Sequence, residues 1–371
     1  MIVDGVQEAQ GQADVADAAA AARPPASPRR RGTLARDLTA LGVIGVLLIA
    51  ALAATGVVLY RDLYSPAAFV TRYLDLLERG QAADALALPG VAVDSADLTR
   101  SGLSATADGA LLRSAALGSL SKVTVESTSV DDGVHTIVAR YDAGQHRGQT
   151  TFRVEQAGWA GVAPTWRFAT SPLAAIDLTL RGATTFSVNG FDLDTRQVAP
   201  EGADADPLDP VSLLVFSPGL YSIAVDTAIS SSPGVAVLSD TPQAKVPVDL
   251  QTQPTAEFVG VVQDRVESFL TECATQQVLQ PTGCPFGLLV RNRIVSPPVW
   301  SISQQPTVTV SPDGANWVID RTQAVAHIVV DIQSLFDGEI HRLDEAVPFS
   351  MGGSITILPD GTASIGISPA D

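Results

Sequence analysis

The chain contains two cysteines, Cys273 and Cys284, with ten residues between them in ECATQQVLQPTGCPF (272–286). Two thiols at this spacing could form a disulfide, supply half of a metal site, act as a redox pair, or stand unrelated. A redox role favours Cys-x-x-Cys, and a zinc site needs two further ligands that the neighbouring sequence does not offer. Which remaining reading holds depends on the redox compartment, and residues far upstream decide that.

The other chemistry-bearing residues are few. Ser119-Leu120-Ser121-Lys122 matches the Ser-x-x-Lys pattern of penicillin-recognising enzymes. That chemistry needs the pair at the start of a buried helix and a Lys-Thr-Gly on a later strand. The only other lysine is Lys245, in Ala-Lys-Val-Pro, so the match is read as chance. His135, Asp142 and His146 are the acid-base candidates of residues 64–171, yet no spacing links them to a nucleophile. Asp204, Asp206 and Asp209 offer hard oxygen ligands suited to Ca²⁺, but the glycine and terminal glutamate spacing of a dedicated loop is missing. His327 and His341 complete a set of four scattered histidines. The sequence therefore assigns no catalytic residue, no cofactor and no metal site. Trp159, Trp166, Trp300 and Trp317 lie in strand-like surroundings and are read as packing residues.

These residues must be positioned by something, and the first positioning element is an address. Leu38–Tyr60, LTALGVIGVLLIAALAATGVVLY, has 23 residues and no charge. As a helix it would extend about 35 Å, enough for a hydrocarbon core of roughly 30 Å. Arg29, Arg30, Arg31 and Arg36 precede it, whereas Arg61 is offset by Asp62. The positive-inside rule then predicts a single-pass plasma-membrane protein, N-terminus cytoplasmic and C-terminal body extracytoplasmic. Ala51-Leu52-Ala53 satisfies a signal-peptide cleavage pattern, but the apolar run continues through Val57, Val58 and Leu59. A retained anchor is the reading taken.

Composition sets the remaining bounds. At 371 residues the chain is long for one core. Residues 1–37 carry five acids and five arginines, so the whole net charge of −17 belongs to the body after the span. A body that acidic argues against nucleic acid and against docking on anionic lipid.

The pattern predicts α+β units beyond a disordered cytoplasmic tail (1–37) and the transmembrane helix (38–60). Ser65 as N-cap, Pro66 at the first helical position and Gly80 as stop bracket the stripe Phe69, Val70, Tyr73, Leu74 and Leu77. A short helix (81–88), another near Gly109–Leu117 and four strand candidates complete a unit at 64–171. Residues 172–253 read as a β module with no helix, turning at Asn189-Gly190 and Ser217-Pro218-Gly219, with Glu201–Pro210 as an acidic loop. Residues 254–371 open with an amphipathic helix (255–277). The strand candidates TVTVS, NWVID, AVAHIVVDI, AVPFS, GSITIL and ASIGI follow it, punctuated by Pro-Asp-Gly at 312–314 and 359–361. The opening AEFVGVVQDRVESFL echoes AAFVTRYLDLLERGQA, which leaves a duplication open.

FVTRYLDLLERGQAADALAL resembles the opening helices of cone-shaped α+β domains of the nuclear-transport-factor and SnoaL-like superfamily. FSVNGFDL…LLVFSPGLYSIAVD resembles the PEGA-type β module, with Asn189-Gly190 before Pro218-Gly219-Leu220-Tyr221. The order of parts is similar to teicoplanin-resistance-associated envelope proteins of Gram-positive bacteria, without their N-terminal zinc ribbon, and in style to actinobacterial membrane proteins. The resemblance implies a cone-like domain, a β-sandwich-like module and a second α+β domain. The functional expectation is a non-catalytic protein that binds or scaffolds an envelope protein, cell-wall component or itself, oligomeric state unknown. The alternative is an enzyme or ligand sensor using a pocket in 64–171. Outside the membrane, an even pair of cysteines reads as a disulfide, Cys273–Cys284.

Overall fold

The computed structural model describes residues 33–161, 163–358 and 362–370, without the side chains of residues 33–35, 37, 52–59 and 61–62. Most of the tail expected at 1–37 and the turn expected at 359–361 lie outside the described residues. The chain divides into two units, Met1–Tyr60 and Arg61–Asp371.

Helix α1 runs Thr33–Tyr64, beginning before the uncharged stretch and ending after it. Leu38, Leu41, Val43, Ile44, Val46, Leu47, Leu48 and Ile49 are all exposed. Among the described residues no helix is long and apolar enough to cross a membrane. The span expected over Leu38–Tyr60 includes residues 52–59, whose side chains lie outside the description.

The second unit is mixed α+β and built mainly from strands. Helix α2 (Pro66–Glu78) starts as its sequence predicts: the Ser65 Oγ accepts from the Ala68 N–H at 3.0 Å, Pro66 is at the first position, and Gly80 follows the end at φ 71°. Val70, Tyr73, Leu74 and Leu77 are its buried face. A short α3 (Ala82–Leu86) follows. The polar stretch after it contains α4 (Ser95–Arg100), because Asp94 Oδ1 caps the Asp97 N–H at 2.7 Å.

No α-helix forms near Gly109–Leu117; only a 3₁₀ turn at Ser114–Ala116 does. The Asp108 backbone is instead engaged at both ends with a later strand. Its N–H donates to Ser212 O and its carbonyl accepts from Leu214 N, each at 2.8 Å.

Strands β1 (Leu120–Asp131), β2 (Val134–Ala143), β3 (His146–Ala160) and β4 (Ala163–Phe168) form an antiparallel meander in that order. The Asp132-Gly133 turn takes positive φ at both residues (47° and 78°), the geometry that matches strand twist in a tight hairpin. The inner face of the meander and α2 share one core, which includes Tyr73, Leu74, Ile137, Phe152, Val154 and Phe168.

Strands β5 (Leu173–Arg181), β6 (Thr185–Val188) and β7 (Phe191–Asp194) come next, then a single helical turn α5 (Thr195–Val198) where none was expected. It forms because Asp194 Oδ1 accepts from the Arg196 N–H at 2.9 Å. Strands β8 (Val211–Phe216), β9 (Gly219–Ala224), β10 (Ser230–Ser231), β11 (Val235–Ser239), β12 (Lys245–Gln251) and β13 (Gln253–Pro254) follow. They form one sheet ordered β11-β9-β6-β7, one ordered β12-β5-β8, and the pair β10-β13. The first two sheets bury one shared core, to which Ala110, Leu111 and Ala116 also contribute. The β12–β5 pairing is parallel.

Helix α6 (Ala256–Ala274) is capped by Thr255, whose Oγ1 accepts from the Phe258 N–H at 3.1 Å. It buries Phe258, Val262, Val266, Leu270 and Cys273. Strands β14 (Arg293–Ile294), β15 (Val299–Gln304) and β16 (Val310–Asp313) pair with β17 (Asn316–Gln333), which pairs with β18 (Ile340–Ile357), which pairs with β19 (Ala363–Pro369).

The sequence divides β17 and β18 into two strands each; the structure makes each continuous. A register shift between Ile319 and Thr322, opposite Gly353 and Met351, bends the long hairpin without ending it.

Candidate functional site

Cys273 and Cys284 are bonded, S–S 2.05 Å with Cα atoms 5.9 Å apart. Cys273 lies on the buried face of α6, and the enclosed loop is laced independently of the sulfurs. Gln276 Oε1 accepts from Thr282 N at 2.8 Å, Leu288 N donates to Leu279 O at 2.8 Å, and Trp300 Nε1 donates to Val278 O at 2.8 Å. Phe286 then packs between Trp300 and Phe349, centroids 5.0 and 5.2 Å away. The pair fastens the end of α6 to the loop that leads into the sheet, a structural task.

The acid-base candidates do not converge. His135 is on β2 with its ring edge-on to Trp166 at 5.0 Å. Asp142 is also on β2. Lys122 Nζ donates to it at 2.7 Å, which with the Arg147 guanidinium 3.9 Å away holds its carboxyl below the usual carboxylate range. A general acid needs the opposite shift. His146 is exposed at the first residue of β3.

Lys122, the lysine of the Ser-x-x-Lys match, therefore serves Asp142. It sits in a strand at φ 52° and not at the start of a helix. His327 Nε2 meets Asp344 Oδ1 at 2.9 Å across β17 and β18, and His341 Nε2 lies 3.7 Å from Glu339. Asp204, Asp206 and Asp209 are exposed; Asp206 Oδ1 is occupied by the Leu208 N–H at 2.9 Å. Among the described residues no three His, Cys, Asp or Glu side chains are grouped to hold a metal ion.

On the inner face of the meander beneath α2 the space is filled, while an open cleft of about 760 Å³ lies beside α2, lined by Ser65, Thr71, Arg72, Asp75 and Val125 of β1 among others. Tyr73, Phe152 and Phe168 interlock with centroids 5.2–5.9 Å apart, and Phe69 covers Phe168 at 5.0 Å. The tryptophans are divided. Trp300 and Trp317 are core, while Trp159 is 67% exposed and Trp166 donates to Tyr64 O at 2.9 Å.

Polar side chains instead concentrate where the cores meet. The buried Tyr73 hydroxyl donates to Ser217 O at 3.0 Å, and the Tyr221 hydroxyl accepts from Phe216 N at 2.9 Å. Burial pushes both phenols well above their ordinary range, so they remain protonated. Thr150 Oγ1 donates to Asp240 O at 2.7 Å, and Ser217 Oγ meets Ser239 Oγ.

Asn189, recognisable in the sequence only as a turn residue, is a clamp. Its Nδ2 donates to Ala116 O (2.8 Å) and Leu220 O (2.9 Å), and its Oδ1 accepts from Ser222 N (2.9 Å). On the other seam, Thr255 Oγ1 donates to Ala228 O at 2.6 Å. There Gly182, at φ 79°, lies so close to Trp317 and Thr252 that a Cβ would meet them at 2.9 and 2.6 Å.

Two further surface clefts bear on binding. One of about 640 Å³ lies along β6 and β7, lined by Ser187, Asp192, Asp194, Gln197, Asp226 and Thr227 among others. Asp194 is committed to Arg196, whose side-chain hydrogen bond keeps its carboxyl below the usual range. A smaller groove of about 230 Å³ separates α6 from β19, lined by Arg265, Phe269, Glu272, Ala363, Ile365 and Ile367, with Ser268. Comparison of the chain with family models, with curated proteins and with solved structures returned no match.

Proposed function

We propose that the chain is a single-pass plasma-membrane protein of the cell envelope, N-terminus cytoplasmic. In this reading its extracytoplasmic body binds or scaffolds envelope components or partner proteins without catalysis. The observation that carries the reading is the uncharged Leu38–Tyr60 stretch, preceded by the cluster Arg29, Arg30, Arg31 and Arg36 and followed by Arg61 offset by Asp62.

Three features support it. Eight large apolar side chains of α1 are exposed, which water tolerates poorly and lipid accepts. The only two cysteines are joined in a disulfide, as an oxidising compartment favours. In the body, aromatic rings fill the space beneath α2, and the buried hydroxyls are spent on joining cores. The finer architecture belongs to the same proposal: a cone-like unit at 64–171, a β-sandwich-like PEGA-type module at 172–253 and an α+β unit at 254–371.

Topology is tested by single cysteines placed in a chain whose own pair is replaced by serine. Gln304→Cys should react with an impermeant maleimide on intact cells, and Ser27→Cys only after permeabilisation. Labelling in the reverse order overturns the orientation. Crosslinking in intact membranes that recovers neither a protein nor wall material overturns the scaffolding function.

A further inference from the structure

Among the described residues strand β19 is the edge of its sheet: it pairs with β18 and with no other strand. Its hydrogen-bond phase identifies which groups are free. Ala370 N donates to Ser350 O and Leu358 N to Thr362 O, so the even-numbered residues of β19 form the bonded pairs with β18. The odd-numbered residues Ala363, Ile365 and Ile367 therefore turn N–H and C=O toward the open edge. Their side chains, half-buried, are the ones that line the 230 Å³ groove against Phe269 of α6.

Open backbone and apolar groove thus coincide on one stretch of chain. Soluble proteins usually blunt such an edge with charge, a bulge or proline; in β19 the one proline is Pro369, its last residue, and residues 363–368 carry no charge.

We infer that β19 and α6 form a strand-addition site for an extended segment of a partner protein. The main chain of that segment would continue the sheet beyond β19, and one alternate side chain would enter the groove. The charges flanking the groove specify the segment further. Arg265 and Glu272 both line it, seven positions apart on α6 and so about 10 Å apart along the axis. Neither takes part in an ion pair among the described residues.

An extended strand covers about 13 Å in four residues, a difference that long side chains take up. The fitting segment therefore reads acid, any, apolar, any, base, in one chain direction or the other. A second copy of this chain fits less well, since its own β19 offers isoleucines but no charge to Arg265 or Glu272. The inference deepens the scaffolding function and rests on it.

The test uses the full chain in nanodiscs and two synthetic peptides, Thr-Glu-Thr-Val-Thr-Lys-Thr and its charge-reversed order, with an all-threonine and valine peptide as reference. At least one charged order should bind ten times more tightly than the reference and slow amide exchange at Ile365 and Ile367. Ile367→Pro removes an N–H that faces the open edge and leaves the ladder to β18 intact. It should abolish binding while β17 stays protected, and Ile367→Val should retain binding. Arg265→Glu should reduce binding of the preferred order at least tenfold.

No slowing with either peptide, or undiminished binding by Ile367→Pro, overturns the site. Slow exchange at Ile365 and Ile367 before any peptide is added, lost on dilution, assigns the edge to a second copy and overturns it as well. A partner recovered by crosslinking at another surface while both peptides fail would leave the scaffolding function standing and remove this site alone.

Discussion

The Asn189 clamp permits a prediction that separates backbone conformation from side-chain bonding. Asn189 sits at φ 52° in a two-residue turn, where Asn and Gly are tolerated and other residues pay roughly 1 kcal/mol. Its amide also makes three bonds of 2.8–2.9 Å to the Ala116 and Leu220 carbonyls and the Ser222 N–H. At about 1 kcal/mol net per bond, these sum to about 3 kcal/mol. Asn189→Gly keeps the conformation and loses the bonds, so it should cost about 3 kcal/mol. Asn189→Ala loses both and should cost about 4 kcal/mol. Asn189→Asp keeps the acceptor for Ser222 but sets a carboxylate oxygen against two carbonyls, and should be at least as damaging as Asn189→Gly at neutral pH.

The assay is urea unfolding of the full chain in detergent, with hydrogen exchange at Val188 and Ser222 as the local readout. Because Ala116 belongs to the segment before β1, the exchange of residues 114–118 should also accelerate. If Asn189→Gly is as stable as the parent, or if acceleration stops at the hairpin, the clamp contributes nothing and the reasoning is refuted.

Replacing both cysteines by serine should cost no more than about 3 kcal/mol, the chain-entropy value for a twelve-residue loop. The bonds of Gln276, Leu279 and Val278 should keep part of that loop ordered; calorimetry and exchange of residues 276–288 measure both. Tyr73→Phe leaves the Ser217 carbonyl without its buried donor and should cost about 1–3 kcal/mol, read by urea unfolding against the parent chain. Asp194 has a folded pKa below its unfolded value, its hydrogen bond from Arg196 being the first cause. Its contribution is therefore present above about pH 4 and disappears as pH falls through the lowered value. NMR titration of Asp194 should show that depression, and Arg196→Gln should move it back toward the ordinary range.

The sequence made local structure legible where local chemistry decides it. Ser65-Pro66 and Thr255 start their helices, Asp132-Gly133 and Asn189-Gly190 turn their strands, and the period-two runs mark strands. It misled where a distant strand takes over the backbone. Residues 109–117 have helical composition, but Asp108 pairs with β8 and draws the following residues across the shared core. The break placed between NWVID and AVAHIVVDI was a bulge, because Asp320-Arg321 read as a polar interruption while the partner strand runs through.

For the candidate site, the disulfide was legible because only one pair is possible and the uncharged stretch upstream points to an oxidising compartment. The roles of Asn189, Tyr73 and Gly182 were not, since each depends on a residue far away in sequence. The β19–α6 groove was likewise invisible, because the hydrogen-bond phase of an edge strand is a property of pairing.

The distribution of buried hydroxyls bears on how such a body could act as a scaffold. An apolar seam can slide, because dispersion has little directional preference, whereas a hydrogen bond buried in a seam fixes one register and costs the full desolvation of both groups if it breaks. Thr150, Ser217, Ser239 and Tyr73 fix the junction between the meander and the strands that follow it, and Asn189 fixes the 114–118 segment on the same side. Thr255, Gly182 and Trp317 secure the next junction by one bond and by close approach. Each junction thus rests on contacts that tolerate little displacement, so residues 61–371 should transmit position from the α1 end toward the β19 edge instead of flexing between cores. A partner bound at that edge would be held at a set distance from the start of the body, which is what a scaffold requires and a flexible string of modules would not supply.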